Sequence, residues 1–384
     1  MSADLLKHCW KASPQWVRLL FLKGLCLARV QKRVAAAARN TPFLDGPFFV
    51  CGAFGSKSGL GQGARLYAQN CQQQGRPVCA VDITAAMRLK RDMRPAAPAL
   101  DVRHLSEHMA NLTGGGTVII HANPPQFQLA LCALGKKFLQ HKKVVGYWAW
   151  ELESLPPVWQ QALDYVDAVE VPSRFVQHTL QTYTDKAVTV IPHQGGASVT
   201  RKTAHATDGV LRCLYIFDAA SSFERKNPLA ALRAFAQAFA PGEAGLTFKV
   251  SNAQADARQF AAFREACARV PGVRIVTETL DTEGLEKLYL AHDVYLSLHR
   301  SEGFGLTIYE AMRHGLHVVA TGWSGNMDFM HGPLAHAVPY ELRPVCLSGG
   351  PCKGLRARWA EADIDAAAGI LNALRRQLCG GNHA

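Results

Sequence analysis

The chain has no C-x-x-C pair, no apolar run long enough to cross a bilayer, and no D-x-D motif before its last helical segment. Each absence removes a class of protein. Eleven cysteines, odd in number and scattered from Cys9 to Cys379, suggest neither a zinc site nor a disulfide framework; reduced thiols in a cytoplasmic protein are the simple reading. Residues 16–27 are largely apolar, but Arg18 and Lys23 interrupt them, which excludes a spanning helix. No small-residue cleavage site closely follows an uninterrupted apolar core, which argues against a signal peptide. The lone D-x-D, Asp363-Ile364-Asp365, lies far from any strand end and is rejected as a metal site. No short repeat or low-complexity tract occurs.

Acidic residues are also scarce at the start. Residues 1–44 hold eight Lys and Arg against Asp4 alone, a balance of +7 within a net charge of +12 for the chain. Two readings of segment 1–45 stand side by side. One is a basic amphipathic helix lying on an anionic membrane surface, peripheral to its inner face. The other is a helix packed on the following domain with its basic face in water. Nucleic-acid binding has neither a motif nor an aromatic platform to support it.

What is present is α/β patterning. A length of 384 residues with 48% hydrophobic content predicts two domains with substantial cores. Short apolar runs at 48–53, 78–83, 117–121, 144–148, 168–171 and 188–192 read as strands, with helices between them, for example over 64–73 and 175–182. A second series follows: strands at 211–217, 246–251, 274–277, 294–298 and 317–321, with helices at 228–239, 257–269 and 283–291. Between the series, residues 194–209 are polar and small, as in a linker. The expected division is a helical segment 1–45, a domain 46–195, a linker 196–209, a domain 210–355 and a last helix within 356–384.

The stretch 294–330 says most about chemistry. An apolar run from Val294 ends at the polar turn His299-Arg300-Ser301-Glu302, followed by Gly303-Phe304-Gly305. A helical pattern then runs from Leu306 to a stop at Gly315, and another apolar run begins at His317. Strand, glycine turn, helix, strand is a parallel unit, and ligands sit where such strands end. Glycines there allow close backbone approach, and the unpaired amides at the helix start favour a phosphate. Glu302 and Glu310, eight residues apart, suit vicinal hydroxyls because a carboxylate accepts two donors. Two solvated surface glutamates are the competing reading of the spacing alone.

Glu302-Gly303-Phe304-Gly305-Leu306 followed by Glu310-Ala311 resembles the E-x7-E donor signature of retaining glycosyltransferases, family 4 in particular. Trp323-Ser324-Gly325-Asn326 is similar to the loop that follows it there, and the likeness runs from about residue 47 to about 345. The resemblance implies a GT-B fold, with two Rossmann-like domains facing a cleft and a C-terminal helix crossing back to the first. It implies that Glu302 binds donor-sugar hydroxyls beside the amides of Gly303, Phe304, Gly305 and Leu306, and that Glu310 holds the ribose. It also implies retention of configuration without a metal and without a cofactor, the donor being a UDP- or GDP-sugar. No covalent nucleophile is named, since in this family the leaving phosphate is thought to take the acceptor proton.

Other residues complete that picture. Arg225-Lys226 stands just ahead of Asn227-Pro228, a good N-cap followed by proline. Two cations at a helix start suit a diphosphate. The family pattern separates its Arg and Lys by several residues, whereas these are adjacent. His121 ends a strand ahead of a proline-rigidified loop, where the family has a histidine beside the donor sugar; a structural capping histidine is the alternative. His193 ends a later strand nearer the hinge. Gly59 and Gly61 lie in a loop resembling the family's glycine-rich loop, followed by Arg65. On the acceptor side, Trp150 offers an aromatic face and Glu151 a carboxylate for acceptor hydroxyls, though packing explains the tryptophan equally well.

The expected function is a metal-independent, retaining hexosyltransferase acting on a hydroxyl of a glycan or lipid-linked acceptor in cell-surface polysaccharide or lipopolysaccharide synthesis. Two rivals remain. One is an NAD-dependent oxidoreductase, because Gly59-x-Gly61-x-x-Ala64 with Asp82 fits a dinucleotide fingerprint. The other is a catalytically silent protein that binds a nucleotide or glycan.

Overall fold

A computed structural model describes residues 42–89, 102–104, 114–193, 208–345 and 355–379. The basic segment up to residue 41 and linker residues 196–207 lie outside them, so the membrane-surface reading concerns residues that are not described. Among the described residues no helix is long and apolar enough to cross a membrane.

Two compact units make up the chain. The first is built on seven parallel strands: β1 (Phe48–Gly52), β2 (Val78–Asp82), β3 (Val102–His104), β4 (Gly116–His121), β5 (Lys142–Tyr147), β6 (Ala168–Val171) and β7 (Val188–Val190), in the order β3-β2-β1-β4-β5-β6-β7. Helices α1 (Gly59–Gln73), α2 (Gln126–Leu139) and α3 (Pro157–Ala162) connect them, and α4 (Arg174–Gln181) follows β6. Val50, Val118, Ile119 and Ile120 are fully buried, as expected for strands covered on both faces, which carry continuous rather than alternating apolar residues. Helix α1 starts five residues earlier than its apolar pattern suggests, because the Ser58 hydroxyl caps it by accepting from the Gly61 amide at 3.3 Å.

The second unit repeats the plan with six parallel strands: β8 (Leu211–Asp218), β9 (Ala244–Ser251), β10 (Val273–Val276), β11 (Val294–Ser297), β12 (His317–Thr321) and β13 (Ala335–Val338), ordered β10-β9-β8-β11-β12-β13. Its helices are α5 (Phe223–Lys226), α6 (Pro228–Ala238), α7 (Ala257–Ala268), α8 (Thr282–Leu290), α9 (Leu306–Arg313) and α10 (Ile364–Cys379). A separate antiparallel ribbon joins β14 (Tyr340–Pro344) to β15 (Arg358–Ala362). In each main sheet the strand order reverses once, between β1 and β4 and between β8 and β11. Such switch points open a crevice at the carboxyl ends of the strands.

Two features differ from the sequence reading. Residues 149–156 and 172–180, which follow β5 and β6 in the chain, group with the second unit. Helix α10, expected to pack on the first domain, buries Ala367, Ala368, Leu371 and Leu374 in the core of the second. It packs against α6, whose buried residues include Ala230, Ala231 and Ala234, and Gln237 donates to Asp365 at 2.7 Å. Asp363 caps α10 by accepting from the Ala366 amide, so both carboxylates of the D-x-D serve the helix.

Candidate active site

At the switch point of the second sheet, β8 and β11 each deliver a polar turn. After β8 the chain passes through the single turn α5, whose N-cap Ser222 accepts from the Arg225 amide. After β11 it forms the turn 299–302 and then Gly305, which starts α9 with φ +87°. The two turns meet in an ion cluster. Lys226 Nζ donates to Glu302 Oε1 at 2.5 Å, and Arg225 Nη1 lies 3.3 Å from the same oxygen. The other Arg225 nitrogen stands 3.5 Å from Glu151 and donates to Ser221 Oγ at 2.6 Å, while Nη1 also donates to the Ser301 carbonyl at 2.8 Å. Both terminal nitrogens of Arg225 are therefore engaged, and the residue is 7% exposed. The Lys226 ammonium has three donors and commits one to Glu302, so it has donors to give an incoming oxyanion.

Electrostatics separates the two glutamates. Burial alone would raise the Glu302 carboxyl; Lys226 and then Arg225 outweigh it and hold it down to about 2. Glu310, one helix further on, has no such partner. Burial pushes it up to about 7, offset in part by the hydroxyl of Tyr289, which donates to Oε2 at 3.0 Å, and by Arg313. Glu302 is thus a fixed anion, and Glu310 sits at the edge of protonation near neutral pH.

The glycines are explained by crowding. A Cβ on Gly303 would lie 2.8 Å from the Trp150 carbonyl, and one on Gly325 would lie 2.2 Å from the Gly303 carbonyl. Ser173 donates to that same carbonyl at 2.6 Å. Helix α9 begins without a capping side chain, which leaves its first amides for an anion. Phe304 is buried against Tyr309 and Phe329 and anchors the turn; Leu306 is partly buried.

Residues 321–326 brace this loop from behind. The Glu302 amide donates to Ser324 Oγ at 2.8 Å and the Gly325 amide to the Glu302 carbonyl at 2.9 Å. His299, fully buried, lies with Nε2 3.1 Å from Asn326 Oδ1, and Thr321 donates to the His299 carbonyl at 2.6 Å. Sequence reasoning noticed the 323–326 loop but gave no role to His299, Thr321 or Tyr289. Their partners here lie 21 to 27 residues away, and no local spacing marks them.

The first unit gathers a different group at its own switch point. His121, at the end of β4, is 1% exposed and stacks on Tyr147 with ring centroids 4.1 Å apart. Neither of its ring nitrogens has a partner among the described residues. His193 lies 5.8 Å from it, centroid to centroid. Gly63 of α1 is packed between the rings: a Cβ there would meet each imidazole at 2.7 Å. Burial, reinforced by His193, keeps His121 well below the usual imidazole range, and burial takes His193 down to about 4. Both are neutral at pH 7.

Three sequence expectations need correction. Trp150 is 5% exposed and donates its Nε1 hydrogen to the Ser154 carbonyl, so its ring has no open face on which a sugar can stack. Glu151 sits beside Arg225 rather than on an acceptor surface of the first unit. Asn227 adopts φ +48° and makes no side-chain cap for α6; its amide donates to Glu361 instead. The dinucleotide reading fails on geometry as well. Gly59 and Gly61 lie inside α1, well beyond the end of β1, and Gly61 is required by the Ser56 and Ala53 carbonyls, 2.3 and 2.6 Å from a Cβ there. Asp82 holds the Thr84 amide at 3.0 Å and hydroxyl at 2.5 Å, and is 3% exposed. Among the described residues no group of three or more His, Cys, Asp or Glu is placed to hold a metal ion.

Comparison with known proteins agrees with this geometry. Residues 216–339 match the family described as glycosyl transferases group 1. The fold is GT-B. A glycosyltransferase from Rickettsia africae ESF-5 superposes with a TM-score of 0.54 at 13% identity, over 89% of this chain and 90% of that one. Anabaena Alr3699/HepE, in its complex with UDP-glucose, gives 0.53 at 12% identity, over 86% and 95%. The match to the pneumococcal O-GlcNAc transferase GtfA, with a TM-score of 0.44 at 17% identity, covers 70% of this chain and spans half (50%) the length of that protein. Among curated protein sequences there is no match. The matched region runs from the end of β8 to just past β13 and encloses Arg225, Lys226, Glu302 and Glu310.

Proposed function

We propose that the protein is a retaining, metal-independent glycosyltransferase that moves a hexose from a UDP-sugar to a hydroxyl of a glycan or lipid-linked acceptor, without a cofactor. The observation that carries this reading is the convergence of Lys226 and Arg225 on Glu302 at the β8/β11 switch point. A diphosphate brings more negative charge than one carboxylate and takes the remaining Lys226 donors together with the open amides of α9. Arg225 stays as the hub that orients Lys226 and Glu302, and contributes positive potential as charge builds on the departing nucleoside diphosphate. Glu302 then accepts hydroxyls of the donor sugar. Glu310 accepts the ribose hydroxyls, Tyr289 fixing its carboxylate. His121 is assigned contact with the donor sugar, as a neutral imidazole.

UDP is the base to try first because the Anabaena neighbour is a complex with UDP-glucose. Cell-surface polysaccharide or lipopolysaccharide synthesis, and attachment to the inner face of the membrane through residues 1–44, belong to the same proposal. Thermal shift with UDP, GDP, ADP and NAD tests it. A ligand at 100 times its Kd stabilises by about 2.7 kcal/mol. Stabilisation by UDP or GDP, with turnover of the matching sugar nucleotide lost in Glu310→Ala, is the expected result. Stabilisation by NAD alone contradicts it, and UDP binding with no turnover on any hydroxyl acceptor leaves a binding protein.

A further inference from the structure

Glu361 lies outside every motif discussed above, on the ribbon strand β15, yet its two carboxylate oxygens reach both turns of the donor site. Oε2 accepts from Arg300 Nε at 2.6 Å and Oε1 from Asn227 Nδ2 at 3.2 Å. Asn227 directly follows Lys226, and Arg300 precedes Ser301-Glu302 by one residue. Arg300 ties the same two turns together through its backbone and its side chain. Its amide donates to the Arg225 carbonyl at 2.8 Å, and its guanidinium donates to the Glu224 carbonyl. The guanidinium also lies over Trp359, 5.1 Å from the ring centroid, and the Ala360 amide donates to the Arg300 carbonyl at 2.9 Å.

A two-stranded ribbon is marginal by itself. This one is anchored by the buried residues Trp359, Ala360 and Ala362, the last within the core of the second unit. Lys226 and Glu302 must be mutually placed for one to meet a diphosphate and the other a sugar. Besides the direct bonds between the turns, Glu361 spans them from outside, holding Asn227 on one and Arg300 on the other.

We infer that Glu361 is a positioning residue for donor transfer: through Arg300 and Asn227 it locks the Arg225–Lys226 turn to the Ser301–Glu302 turn. This rests on the donor-site reading proposed above. Displacement of a reacting group by about 1 Å costs about 100-fold in rate, so the effect should appear in turnover more than in folding.

The test compares the wild-type chain with Glu361→Ala, the near-isosteric Glu361→Gln, and Glu341→Ala as a control on the same ribbon, where Glu341 makes an exposed pair with Arg343. UDP-sugar turnover, KM for donor and acceptor, and melting temperature are measured for each. Glu361→Ala is expected to lower kcat for transfer about 100-fold, with acceptor KM unchanged and a cooperative melt retained. Glu361→Gln, which keeps one acceptor oxygen, should recover part of the loss, and Glu341→Ala should match wild type. If Glu361→Ala does not fold, Glu361→Gln decides alone, with a kcat loss of at least about 10-fold expected. Wild-type turnover with undiminished kcat in a folded Glu361 variant overturns this inference and leaves the donor site standing. Wild-type protein that neither binds nor turns over any sugar nucleotide overturns both.

Discussion

Both units place polar side chains at the carboxyl ends of parallel strands, at the point where strand order reverses, yet they do so in opposite electrical form. The second unit packs two cations against two carboxylates, Arg225 and Lys226 with Glu302 and Glu151. The first packs two imidazoles and a tyrosine, all neutral at pH 7. A shared topology therefore supplies a place and not a chemistry. Charges suit the part of a donor that carries phosphate, and neutral donors and acceptors suit its sugar hydroxyls.

Removing charge from the second unit has the largest expected effect. Lys226→Ala should lower turnover about 100- to 1,000-fold, as when one transition-state donor is lost. It should also destabilise folding by about 3 kcal/mol, because Glu302 is left buried with Arg225 alone; steady-state kinetics and urea denaturation check the two effects. In the first unit the matching perturbation is steric. Gly63→Ala drives a methyl group to 2.7 Å from both imidazoles, and such overpacking costs about 1–3 kcal/mol. Its urea midpoint should fall while UDP affinity holds.

A gentler probe is pH. Glu310, raised to about 7, is ionised above that pH and neutral below it. If its carboxylate holds the ribose, UDP affinity falls about tenfold between pH 8 and pH 6, and Glu310→Gln removes that dependence. The signs for stability also differ between groups. A raised carboxyl such as Glu310 stabilises at low pH and loses that contribution as pH rises through about 7. Glu302, held near 2, contributes above its unfolded value and loses the contribution as acid takes it from about 4.5 to about 2. His193, depressed to about 4, favours the folded state above about 6.5 and loses that as pH falls towards 4. Acid denaturation followed by denaturant titration at each pH resolves the order, histidines before Glu302. The smallest effect belongs to an exposed pair. Glu283→Ala breaks a bridge to Lys287 in which both side chains are over 70% exposed, and stability should move by less than about 0.5 kcal/mol.

Much of this was readable in residue order. Continuous apolar runs betray strands buried on both faces, so β1, β4, β11 and β12 stand out from the text of the chain. Short strands with polar residues do not: β13, with His336 inside it, and the ribbon β14–β15 carry no such run. Glu302, Gly303, Gly305 and Glu310 announce themselves because a turn and a helix hold them at fixed spacing. What Glu302 touches is not announced, since Lys226 is 76 residues away. Trp150 shows the limit in the other direction. An aromatic residue after a strand looks the same in sequence whether its ring is open to a sugar or buried, and here the Trp150 backbone lies against Gly303 with its ring buried. Helix α10 was placed by family habit, whereas its alanine-rich stripe decides its real partner, the alanine face of α6.

Lys226, at the β8/β11 switch point of the second unit, is proposed to hold a nucleoside diphosphate. Calorimetric titration of UDP into the wild-type chain and into Lys226→Ala at pH 7.5 tests it most directly. Saturable one-site binding is expected in the wild type, with affinity at least about 30-fold weaker in the variant, equivalent to about 2 kcal/mol. Undiminished UDP binding in a folded Lys226→Ala protein would contradict it.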